Sequence, residues 1–129
     1  MGEGTTKQPT ILLGLKRYRI TITRKTLQMI GNPAHILLLV KPEEKTLVIS
    51  HGSSIDKRAH RIPPLKPDAK RKREIELYSK PLMQSIASIS AGLQYNSSYR
   101  IQGEIIPDEN ILRFYIDKAE IVSRGTSDA

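Results

Sequence analysis

A chain of 129 residues without cysteine is long enough to bury a core and must hold it by packing alone, because disulfides and thiolate metal sites are excluded. No apolar run approaches the roughly 18 residues of a membrane helix, and the opening MGEGTTKQPT lacks the charged-then-apolar layout of a secretion signal. A soluble, cytoplasmic protein without a membrane partner is therefore expected, and a formal charge of +8 suits a polyanion.

Residues 1–16 begin as a small, polar, flexible tail, and within them Thr10 to Leu15 (TILLGL) fits either a short edge strand or an apolar plug. The first complete unit spans 17–50. In it Tyr18, Ile20 and Ile22 alternate with Arg17, Arg19, Thr21 and Thr23, the period of a half-buried strand with one cationic face. Thr23 can cap a helix of about two turns, whose Leu27 and Ile30 share a face and which Gly31-Asn32-Pro33 ends. Ile36 to Val40, the turn Lys41 to Lys45 and Thr46 to Ser50 then read as a hairpin with a buried first strand.

Residues 51–73 read as a basic linker in which Pro63, Pro64 and Pro67 favour extended backbone. A second unit over 74–122 repeats the order of the first. Ile75 and Leu77 alternate like Ile20 and Ile22, and an offset of 55 places Lys25 on Lys80 and Leu27 on Leu82. Ser79 can cap a helix with Pro81 in its first turn, Leu82, Met83, Ile86 and Ile89 on one face, and Gly92 at its end. Tyr99 to Ile105, the turn Pro107 to Asn110 and Ile111 to Ile116 form a second hairpin, so that Pro42-Glu43-Glu44 and Pro107-Asp108-Glu109 correspond. Asp117 to Val122 can add a last strand, and 123–129 is a tail.

The expected class is mainly β with short helices, built from two β-α-β-β repeats. The run Arg19-Ile20-Thr21-Ile22-Thr23-Arg24-Lys25, Leu27, Ile30-Gly31, Ile36 to Val40 and Leu47-Val48-Ile49 resembles the AbrB/MraZ-like swapped-hairpin family. That resemblance implies two units interleaving their hairpins into one barrel-like body, with basic side chains on one face binding DNA. It would make this chain a pseudo-dimer in itself, complete as a monomer or able to dimerise again. The chain departs from the family at Thr23, where a proline is usual, and at Asn32 to His35, where a Gly-Asp pair is common.

Two groups of cations are candidate nucleic-acid contacts. Lys16, Arg17, Arg19, Arg24 and Lys25 have no acid among them along the chain and would meet at one end of the first unit; arginine there can fork onto phosphate or guanine. Lys57, Arg58, Arg61, Lys66, Lys70, Arg71, Lys72 and Arg73 stand against Asp68 alone, a local net of +7 suited to phosphate anchoring without sequence reading. Duplex DNA is the expected partner and transcriptional regulation the expected role. RNA, or an acidic protein surface that resembles nucleic acid, would meet the same cations. Tyr78, Tyr95, Tyr99, Phe114 and Tyr115 are read mainly as packing residues with stacking as the alternative. His35, His51 and His60 are isolated, so no metal or cofactor is expected. No nucleophile motif or phosphate loop indicates an enzyme.

Overall fold

The computed structural model describes residues 8–64, 74–90, 92–94 and 96–123. Nine strands and two α-helices follow in the order β1 (Thr10–Gly14), β2 (Arg19–Thr23), α1 (Arg24–Gln28), β3 (His35–Lys41), β4 (Thr46–His51), β5 (His60–Arg61), β6 (Glu74–Tyr78), α2 (Lys80–Ile89), β7 (Ser98–Ile106), β8 (Ile111–Tyr115) and β9 (Glu120–Ser123). The 3-10 turns Leu15–Arg17 and Ile116–Lys118 follow β1 and β8. The fold is mainly β. Its strands pair antiparallel in the order β5-β3-β4-β8-β7-β1-β2-β6, with β9 on β7, and curl into a nearly closed barrel. No helix among the described residues is long and apolar enough to cross a membrane.

The alternation seen in the sequence sets which side chains enter the barrel. Ile11 and Leu13, Ile20 and Ile22, Leu47 and Ile49, Leu112 and Phe114 are all fully buried, and each pair lies two residues apart on one strand. α2 closes over this core with Met83 and Ile86, which are three apart and so share a helix face. Ser79 caps it by accepting from Leu82 N at 3.3 Å, and Pro81 lies in the first turn where no N–H is missed. The helix ends at Ile89, before Gly92.

Three local expectations come out differently. Residues Thr10–Gly14 are neither edge nor plug but an interior strand, hydrogen-bonded to β2 on one side and β7 on the other. The first hairpin also has its burial reversed: Thr46 to Ile49 of β4 are buried, whereas Leu37 to Val40 of β3 are half-exposed. β4 lies between β3 and β8, while β5 covers β3 only at His35 and Ile36, so neighbours rather than hydropathy decide. Within 51–73, His60–Arg61 joins the sheet and Ile62 is buried; residues 65–73 lie outside the described residues.

The two strand–helix–hairpin runs share several local geometries. Thr23 accepts from Thr26 N at 3.2 Å as Ser79 does from Leu82 N. In the hairpin turns Lys45 N donates to Pro42 O and Asn110 N to Pro107 O, both at 3.2 Å, with Lys45 and Asn110 both at φ 56°. β2 pairs with β6 through Thr21 opposite Glu76, and β4 pairs with β8 through Val48 opposite Arg113.

Thr26 joins β1 to α1. Its hydroxyl donates to Thr10 O at 3.2 Å and accepts from Thr10 N at 3.1 Å, while Thr23 Oγ1 lies 2.8 Å away. Thr26→Val keeps the shape and strands both backbone groups of Thr10, so a loss of about 2 kcal/mol is expected in urea unfolding. A midpoint equal to wild type would show that the joint contributes nothing.

Candidate nucleic-acid interface

The β2·β6 ribbon positions the first group of cations picked out by sequence, and it separates them. At one end the 3-10 turn Leu15–Arg17 exposes Lys16 and Arg17, and Tyr18 leaves it in the left-handed region at φ 53°. The start of α2 comes against the same place: Ser79 N donates to Tyr18 O at 2.9 Å, and Lys80 Nζ stands 5.6 Å from the Tyr18 ring centroid. Tyr78, 60% exposed, lies opposite Arg19. Lys16, Arg17 and Lys80 thus share one end of the ribbon with two tyrosines.

Arg24 and Lys25 are at the other end, beyond Thr23, so the expected single cluster is two. The whole of β2, whose five residues span roughly 13 Å at about 3.3 Å per residue, lies between the two groups. Lys25 is exposed, but Arg24 turns along the body, donating from Nη2 to Pro63 O at 3.0 Å. Nor is the ribbon free of acid. Its pairing sets Glu76 opposite Thr21 and Glu74 opposite Thr23, and Arg19 meets Glu76 at 3.7 Å. Arg19 also lies across Gly14, its strand partner, so its guanidinium is engaged along the surface.

Of the second group, Lys57 and Arg61 are exposed. Arg58 is bound to its own loop, with Nε and Nη2 donating to the two oxygens of Asp56 at 3.2 and 3.1 Å. The side-chain hydrogen bonds come first in lowering the Asp56 pKa and raising that of Arg58. Lys66, Lys70, Arg71, Lys72 and Arg73 lie outside the described residues, as does Tyr95. Phe114 and Tyr99 are core side chains. His51 donates to Ile30 O, which Asn110 Nδ2 also approaches at 3.4 Å, so the end of β4 and the second hairpin tip meet on the turn after α1. His60, partly buried in β5, has its pKa lowered by desolvation. Among the described residues no three His, Asp or Glu side chains group as metal ligands do.

Lys80 is a further cation at this end, one that charge counting along the chain does not select. The signal was present in the 55-residue offset that sets it on Lys25, but only the meeting of Ser79 with Tyr18 brings it beside Arg17.

On another face, Glu104 accepts from Arg113 Nη2 at 2.7 Å and Tyr115 OH at 2.9 Å. The Arg113 bond first, then that from Tyr115, holds the Glu104 carboxyl below the usual glutamate range. Because the folded pKa is the lower one, this contribution to stability is present above the unfolded pKa and is lost as pH falls through the folded one. Glu104→Gln is therefore expected to flatten the fall in urea midpoint between about pH 7 and about pH 3. Superimposable pH profiles for the two proteins would remove Glu104 from the acid response.

No protein-family model, no curated protein and no solved structure matches the chain.

Proposed function

We propose that this chain is a duplex-DNA-binding protein of AbrB/MraZ-like kind, a transcriptional regulator folded as a single-chain pseudo-dimer. Lys16, Arg17 and Lys80 contact phosphates at one end of the β2·β6 ribbon, and Lys25 does so at the other. The observation that carries the reading is the convergence of Lys80 with Lys16 and Arg17 from distant parts of the chain, the nearby Glu76 being taken by Arg19. Like charges are costly to gather without a partner, and a polyanion repays the cost by releasing counterions.

The pseudo-dimer reading is supported by the pairing of equivalent strands. β2 and its counterpart β6 lie side by side and antiparallel, as do β4 and β8, which is the arrangement of two units related by a local two-fold axis. The two cationic ends, with the length of β2 between them, can reach separate phosphates. Glu74 and Glu76 between them limit base contact to donors such as the cytosine amino group, so phosphate positioning carries most of the affinity.

One observation favours a second reading, single-stranded RNA: the exposed Tyr78 ring beside the cations is a stacking platform. Anisotropy titrations of the nuclease-treated protein against a short duplex and a single-stranded RNA, from about 50 to about 300 mM salt, separate the two. For four phosphate contacts the duplex affinity falls with a log–log slope of about −3 to −4. A flat slope sinks the phosphate account, and tighter binding to RNA at every salt replaces the duplex with the single strand.

A further inference from the structure

A cleft of about 430 Å³ opens between α1 and the chain that follows β5. Leu27, Pro33, Ile62, Pro63 and Pro64 give it an apolar lining, of which Leu27 and Ile62 belong to the buried core. Arg24, Gln28, Asn32 and Arg61 add polar groups, and among the described residues no carboxylate lines it. The volume is that of a small-molecule site, where an apolar wall with a few convergent polar groups is the usual composition.

Arg24 is what makes the cleft specific. Its guanidinium has five donors in a fixed plane. One of them is used on Pro63 O, which holds the chain after β5 against α1, while Nε is buried and meets no acceptor among the described residues. Nε is closed to solvent, so a ligand in the cleft reaches the guanidinium through its Nη groups, and an anion is the partner that a guanidinium fits best. Arg61, exposed on β5, supplies a second guanidinium at the same cleft. An inorganic anion would satisfy the arginines and leave the apolar lining wet; a neutral apolar molecule would do the reverse.

We propose that this cleft binds a small amphipathic anion, a phosphate or carboxylate carrying a flat apolar body, with its charge on Arg24 and Arg61 and its body against Leu27, Ile62 and Pro33. The site is independent of the nucleic-acid reading, whose contacts are Lys16, Arg17, Lys25 and Lys80. Phenyl phosphate is the probe, followed by nuclear magnetic resonance on the full chain at the Arg24 Nε–H and the side-chain amides of Gln28 and Asn32. Saturable shifts at these groups are expected at about millimolar concentration, the range open to a ligand of this size. Inorganic phosphate and benzyl alcohol are each expected to bind at least about tenfold more weakly.

Arg24→Gln and Arg61→Gln should each weaken phenyl phosphate about tenfold or more, whereas Lys41→Ala, an exposed position outside both sites, should leave it unchanged. Arg61 is an exposed side chain, so its variant decides the matter even where Arg24→Gln loosens the fold. Inorganic phosphate binding as tightly as the phenyl ester would reduce the cleft to a phosphate anchor and overturn the proposal. Benzyl alcohol binding as tightly, affinity that survives Arg61→Gln, or no saturable shift with phenyl phosphate would overturn it as well.

Discussion

Gly103→Ala is expected to destabilise the protein by about 3 kcal/mol and lower its Tm by roughly 10 °C. Gly103 sits on β7 directly opposite Phe114 of β8, whose side chain is fully buried and is the largest of those with no exposure. A Cβ at position 103 would press on the carbonyl oxygen of Arg113 and stand 2.5 and 2.8 Å from two atoms of the Phe114 ring. The ring lies across the glycine, filling the space that a side chain would otherwise take. Neither obstacle is the far end of a flexible chain: one is backbone, the other a ring held on all sides by core. Phe114→Leu on its own should cost about 1–2 kcal/mol by lost packing, and it should partly relieve Gly103→Ala when the two are combined. A double-mutant cycle in urea checks this. Strict additivity, or a Tm for Gly103→Ala within about a degree of wild type, would mean that β7 and β8 shift apart at little cost.

What the sequence shows plainly is whatever depends on near neighbours. The inward positions Ile20, Ile22 and Ile75, the caps Thr23 and Ser79, and the turns ending at Lys45 and Asn110 are all set within a few residues and found where the pattern puts them; Thr21, on the outer face by its period, is nonetheless buried between β1 and β6. The placement of β1 is not of that kind. Ile11 and Leu13 are as apolar as an edge strand or a plug would be; only the distant partners Ile22, Ile20, Ile101 and Tyr99 make them interior. The same holds for β3, whose run of leucines reads as the more buried strand until β8 arrives on the far side of β4.

The candidate site divides in the same way. Each cation was visible, but charge along a chain is not charge in space. Glu76 stands far from Arg19 in sequence and 3.7 Å from it across the ribbon, whereas Arg17 and Lys80 are distant in sequence and share one end of it. Arg24 looked like the neighbour of Lys25 that it is in sequence, yet its guanidinium turns to Pro63. Cross-strand partners, which local periodicity does not specify, decide which cations remain open to a ligand.

Changing Lys16, Arg17 and Lys80 together to alanine is expected to weaken duplex DNA binding on the order of a hundredfold and to make the log–log salt slope shallower by about 2–3. The slope follows from counterion release, close to one unit for each phosphate contact removed. The affinity follows from three charge-assisted contacts, each contributing on the order of 1 kcal/mol net against water. Lys16, Arg17 and Lys80 are exposed side chains, so the fold should survive, and the packing lost is confined to the cover that Lys80 gives the Tyr18 ring. The control removes equal charge elsewhere: Lys41, Lys45 and Lys118 are exposed at the first hairpin turn and in the 3-10 turn after β8. If affinity depends on net charge alone, both triple variants lose it equally and with the same slope, and the localised site is wrong. If the ribbon end is the contact, the control keeps most of its affinity at about 150 mM salt, where screening reaches beyond about 8 Å and only close phosphates count. Restoring Lys80 alone should then return about one unit of slope, because a cation brought in by α2 acts on the same phosphates as the turn before β2.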